Sequence, residues 1–149
     1  MIKQFLNIEV IWKDEHMFEL KINCSNGRYS GTTEVYDTKE SLLPFANSLK
    51  GYPFQGGELQ YECGKEDNYA YFKMKFYQIK TTGIVGVQIN VEENVPTEYR
   101  KEEKDKLKME LIVEPNAIDS FQKELLNLAM KESGSANLIG IKPYTNNIK

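Results

Sequence analysis

The sequence predicts a single α+β domain: an antiparallel sheet of about seven strands carrying two helices, in the order βββ-α-ββββ-α. Three observations lead there. Apolar and polar residues alternate over most of the chain, which is the period of half-buried strands. Tight-turn residues punctuate those segments, so consecutive strands reverse into hairpins. Two stretches switch to helical spacing, and neither sits in a strand–helix–strand unit of the parallel type. A meander-like sheet with helices on one face satisfies all three, and so does a half-open barrel.

In the first strand Leu6, Ile8, Val10 and Trp12 fall on one face, with Asn7 and Glu9 opposite. The polar run Lys13-Asp14-Glu15-His16 turns the chain into a second strand. There Phe18, Leu20, Ile22 and Cys24 point inward, and Glu19, Lys21 and Asn23 outward. Ser25-Asn26-Gly27 is a turn, because Asn-Gly supplies the positive φ that tight hairpins require. A third strand over 28–36 aligns Tyr29, Thr33 and Val35, and Gly31 in its middle predicts a bulge or a close approach by another backbone.

Asp37-Thr38 opens the first helix, in which Leu42, Leu43, Ala46 and Leu49 recur at helical spacing with Phe45 beside them. Pro44 leaves two starts open. Either Ser41 is the N-cap and Pro44 lies in the first turn, or the helix begins near Thr38 and bends at Pro44. Gly51 ends it, and Pro53 prevents continuation.

Past Gln55-Gly56-Gly57, a fourth strand over 58–63 aligns Leu59, Tyr61 and Cys63. The polar loop 64–68 leads into a fifth, about 69–79, with Ala70, Phe72, Met74 and Phe76 on one side. Its other side carries Tyr69, Tyr71, Lys73, Lys75 and Tyr77. Thr81-Thr82-Gly83 reverses the chain into a sixth strand, 84–91, with Val85, Val87, Ile89 and Val91 inward. Residues 92–106 mix charges around a proline without apolar period, which predicts a mobile charged loop. A seventh strand over 107–113 aligns Leu107, Met109, Leu111 and Val113. The last helix starts at Pro115, carries Ile118, Phe121, Leu125 and Leu128 as its apolar stripe, and is closed by Gly134 as C′ residue. The apolar piece 138–141 is expected to dock on the domain, and 142–149 to fray.

Composition and residue types exclude several functions. The 149 residues suffice for one ordinary core. A net charge of −3 and an isoelectric point near 5.3 disfavour general nucleic-acid binding, which needs an electropositive surface. The N-terminus lacks the apolar run of a secretory signal, and no stretch is long enough for a membrane span, so a cytoplasmic location is expected. Cys24 and Cys63 are too few for a disulfide framework and read as buried thiols.

His16 is the one histidine and falls in a charged turn, so Ser–His and Cys–His nucleophile pairs lack their base. The same scarcity argues against a transition-metal site, and no glycine loop precedes a helix to cradle a phosphate. No cofactor and no catalytic residue is therefore expected. Glu58, Glu62, Glu110 and Glu114 lie on or near strands, where two carboxylates could meet across a ladder. The positive feature is the aromatic–basic stripe Tyr69, Tyr71, Lys73, Lys75 and Tyr77. Exposed tyrosine suits recognition surfaces, whereas the plainer reading is good β-formers covering a half-buried sheet.

Three stretches carry a resemblance: SNGRYSGTTEVY at 25–36, LKGYP at 49–53, and KMELIVEPNAIDSFQKELLNLA at 108–129 followed by GSANL. In these the chain resembles a family of small uncharacterised bacterial proteins, and its plan is similar to that of WapI-type immunity proteins. The resemblance implies a non-enzymatic cytoplasmic protein that binds and blocks another protein, a toxin, and carries no catalytic residue over. An acidic antidote would suit a basic toxin, since charge complementarity speeds encounter. The alternative is a small-molecule-binding domain with a pocket between sheet and helices.

Overall fold

The computed structural model describes residues 3–65, 70–79, 81, 83–93 and 103–141. The strands are β1 (Phe5–Lys13), β2 (Phe18–Ser25), β3 (Ser30–Asp37), β4 (Leu59–Gly64), β5 (Tyr71–Gln78), β6 (Val85–Glu92), β7 (Lys106–Val113) and β8 (Ser135–Ile139). The helices are α1 (Lys39–Ser48) and α2 (Pro115–Lys131). The α+β class and the hairpin order are as the sequence predicts. The strands divide into two antiparallel four-stranded sheets, ordered β3-β2-β1-β8 and β4-β5-β6-β7. The described helices include none long and apolar enough to cross a membrane.

The additional strand is β8, which pairs with β1 from Phe5 opposite Ile139 to Glu9 opposite Ser135. Ala136 and Leu138 are buried, while Ser135, Asn137 and Ile139 are exposed. Two inward residues are too short an alternation to announce a strand from sequence; pairing with an existing edge makes it one. Beyond β8, the Ile141 N–H donates to the Ile112 carbonyl at 2.7 Å, which links the first sheet to β7 of the second. Residues 142–149 lie outside the described ones.

The sheets meet through β3, which runs across the strands of the second sheet. At its C-terminal end the Tyr61 hydroxyl of β4 donates to Asp37, and the Cys63 thiol donates to the Tyr36 carbonyl at 3.0 Å. Midway, the buried Thr33 hydroxyl donates to the Glu92 carbonyl of β6 at 2.7 Å. At its start Gly31 lies against Val91 and Leu107, so that an added Cβ would stand 3.0 Å from each. No bulge forms there, since β2 and β3 pair without a register shift. Gly31 answers a close approach, made by side chains of β6 and β7.

Both helices close the same core. Thr38 caps α1, its hydroxyl accepting from the Ser41 N–H at 3.3 Å, and Pro44 lies inside the helix, so the start near Thr38 is the one adopted. Phe76 of β5 touches Phe45 of α1 at 6.1 Å, Tyr52 at 6.2 Å and Phe121 of α2 at 6.4 Å between ring centroids. Gln122 is buried, and its amide donates to the Ala46 carbonyl at 3.1 Å. That carbonyl lies in the last turn of α1, where intrahelical partners run out. At the end of α2 the left-handed residue next to the helix is Glu132 (φ 54°), whose N–H closes on Leu128; Gly134, two residues on, is the position the sequence suggested.

Two side chains depart from the alternation. Trp12 is expected inward, but a register shift between Val10 and Trp12 inserts Ile11 and turns Trp12 to the face of its partner Glu19. Tyr29 precedes β3, exposed, with its N–H bonded to the Asn26 side chain. The flanks of the 92–106 segment are also built in. Glu93 N–H bonds the Asp105 carbonyl, and Lys104 and Glu92 form a buried ion pair at 3.3 Å. Residues 94–102 lie outside the described ones.

Cys24 and Cys63 are buried and free. Burial pushes Cys24 up to about 11, and burial together with the Asp37 charge pushes Cys63 up to about 12. An unfolded thiol ionises near ~8.5. The folded thiols hold their protons longer, so their contribution to stability is complete below that value and is lost as pH rises towards the folded ones. Reduced protein should lose roughly 1–2 kcal/mol per thiol between about pH 8.5 and pH 10. Urea unfolding should show a smaller alkaline loss in the Cys24→Ala/Cys63→Ala variant; equal losses would refute the assignment.

Candidate functional site

The outer face of β5 carries the stripe singled out in the sequence. Tyr69 lies outside the described residues; Tyr71, Lys73, Lys75 and Tyr77 share one side of the strand. Tyr71 is only 3% exposed, and its hydroxyl donates to the Glu62 carboxylate on β4. Tyr77 lies flat against Gly86, its register partner on β6, close enough that a Cβ there would be 2.4 Å from the ring. Its hydroxyl donates to Glu110 on β7. Burial first, then the bond to Glu110, holds the Tyr77 phenol above its ordinary value. Lys75 Nζ stands 5.8 Å from the Tyr77 ring centroid. Both tyrosines are fastened to the sheet that carries them, and the lysines share rows with Glu62, Asn90, Gln60 and Gln88.

The same bonds locate two of the strand carboxylates. Glu62 is on β4 and Glu110 on β7, the opposite edges of the sheet, three strand spacings apart and two residues out of register, about 16 Å between backbones. Each accepts a tyrosine hydroxyl, so these two do not form a catalytic acid–base pair. Glu114 is the N-cap residue of α2.

The outer face of the first sheet is organised differently. Its strands bring side chains into three transverse rows. Thr32, Asn23, Asn7 and Asn137 make the first, tied by Thr32 Oγ1 to Asn23 Oδ1 and by Asn7 Nδ2 to Asn137 Oδ1, both 2.7 Å. Glu34, Lys21, Glu9 and Ser135 make the second, in which Lys21 stands in register between two glutamates. Tyr36, Glu19 and Trp12 make the third. There the two rings meet edge to face, 6.1 Å between centroids at 88°, while remaining 46% (Trp12) and 53% (Tyr36) exposed.

Neither aromatic belongs to the stripe expected from sequence. Tyr36 follows from alternation, standing opposite the buried Val35. Trp12 depends on the bulge, whose trace in the sequence is the run Val10-Ile11-Trp12, three apolar residues where two-residue alternation allows two.

Two shallow concavities stand out among the described residues. One, about 330 Å³, lies over the amide row and reaches Lys3, Ser30 and Ile139. The other lies by Thr32, Glu93, Asp105 and Lys106, where a hydrogen bond shared with Asp105 raises the Glu93 carboxyl. Neither lies between a sheet and a helix. His16 is exposed in the β1–β2 turn, its N–H bonded to Asp14, and the His16 and Met17 amides together hold the Asp14 carboxyl below its usual range. No family model, curated protein or solved structure matches the chain.

The Tyr77–Gly86 contact is testable. Gly86→Ala should cost about 1–3 kcal/mol in urea unfolding, because the methyl enters the ring's position. In a Tyr77→Ala background the same change should cost less than about 1 kcal/mol. Equal costs in the two backgrounds would show that the ring is not what excludes the methyl.

Proposed function

We propose that the chain is a non-enzymatic protein-binding module and that the outer face of its first sheet is the contact face. The observation that carries this reading is the Trp12–Tyr36 pair. Two large rings held half in water forgo the stabilisation that burial gives, and neither is tied down as Tyr71 and Tyr77 are. Trp and Tyr are the residues that dominate binding energy at protein interfaces, where one apolar body and one polar tip are both used. The strand positions around the pair, Glu9, Glu19 and Glu34 against Lys21, favour a basic partner and would steer its approach. Combined with the resemblance to immunity proteins, the specific form of this reading is a cytoplasmic antidote that occupies a basic toxin.

Affinity capture from the source cells, followed by measurement with the purified partner, tests both levels. Trp12→Ala should weaken binding by about 30-fold, as truncation of a central aromatic does. The Lys73→Ala/Lys75→Ala variant should bind within about two-fold of the parent, as peripheral contacts do. The opposite pattern would move the contact face to β5. If the partner is a toxin, co-expression should restore growth, and Trp12→Ala should abolish the rescue.

A further inference from the structure

We infer that the row Trp12–Glu19–Tyr36 is the seat of an arginine side chain supplied by the partner; this rests on the contact-face reading and gives it a chemistry. Three features of the row point to a planar cation. First, Trp12 and Tyr36 come from the two strands flanking β2 and stand in register on either side of Glu19, their rings meeting across its row, so one carboxylate shares a row with an aromatic pair. Second, the rings are nearly perpendicular, at 88°, one edge set against the other's face, and both stay about half exposed, which leaves aromatic surface for a stacking group. A guanidinium can stack on a ring face while its N–H groups reach a carboxylate, which an ammonium cannot do in one plane. Third, Glu19 forms no ion pair among the described residues, whereas Lys21, the nearest cation along β2, stands in register between Glu9 and Glu34. The row therefore presents an acceptor that its own sheet leaves for an incoming charge. Charge-assisted bonds to a carboxylate are the stronger class.

Trp12 is the one tryptophan in the chain, so its emission reports this row directly. The full-length protein would be titrated with three short glycine-spaced peptides carrying arginine, lysine or citrulline. Saturable change in Trp12 emission is expected with arginine, about five-fold weaker response with lysine, and none with citrulline, which keeps the planar shape and loses the charge. Glu19→Gln should weaken arginine binding by about five-fold or more, and Tyr36→Leu should do the same while leaving the melting temperature unchanged. Equal binding of arginine and citrulline peptides would overturn the inference, as would an unchanged affinity in Glu19→Gln. If Trp12→Ala still loses the captured partner in those cases, the contact face stands without the arginine seat. If Trp12→Ala and Tyr36→Leu keep the partner as well, both readings fall.

Discussion

Gly31 has no Cβ where β3 is seated across β6 and β7: a methyl there would stand 3.0 Å from side chains of both Val91 and Leu107, each of which would have to give way. The crossing makes one core out of two sheets. Four strands on each side present apolar inner faces, and an antiparallel sheet with one apolar face must cover it with something. Here each sheet helps to cover the other along β3, with Thr33 and Tyr36 fastening the crossing through bonds to β6 and β4. The helices fill what the crossing leaves open, and Phe76 is where α1, α2 and the second sheet meet. Because the helices are used on the inside, the outer face of the first sheet is left to solvent.

Much of this was legible in the sequence because it depends on local period. Inward residues such as Leu20, Ile22, Phe72, Met74, Val87 and Leu111 stand where alternation puts them, and Pro115 opens α2 as its fixed φ suits. What was not legible depends on partners distant in sequence. The β8 strand exists because β1 has an edge to pair with, a fact absent from five residues read alone. The division into two sheets arises where β3 crosses, and period says nothing about which strand turns onto which. At Gly31 the residue type suggested a bulge or the approach of another backbone, whereas what comes close is side chains of β6 and β7.

The candidate site shows the same limit more sharply. A single inserted residue, Ile11, moves Trp12 from the core face to solvent, because side chains in a strand change face at every step. Counting by twos from Leu6 gives the wrong side for the largest side chain in the molecule. Conversely, the tyrosines of β5 were visible as a stripe, and their fate was not. Whether an outward tyrosine is free or fastened is decided by Glu62, Gly86 and Glu110, which lie on three other strands.

The two outer faces therefore hold similar residues to opposite ends. On the second sheet, each described tyrosine of the stripe has its hydroxyl bonded to a carboxylate; one also lies against a glycine, and the ion pair of Glu92 and Lys104 is buried beside the other. Removing one partner from such contacts leaves a buried polar group or a gap, so change there is felt as lost stability. On the first sheet, the rings of Trp12 and Tyr36 touch each other and stay about half exposed, and the Glu19 side chain forms no ion pair or hydrogen bond among the described residues. The outer aromatic residues of the first sheet are thus less tied to the rest of the fold than those of the second, and that is the physical difference between the two faces.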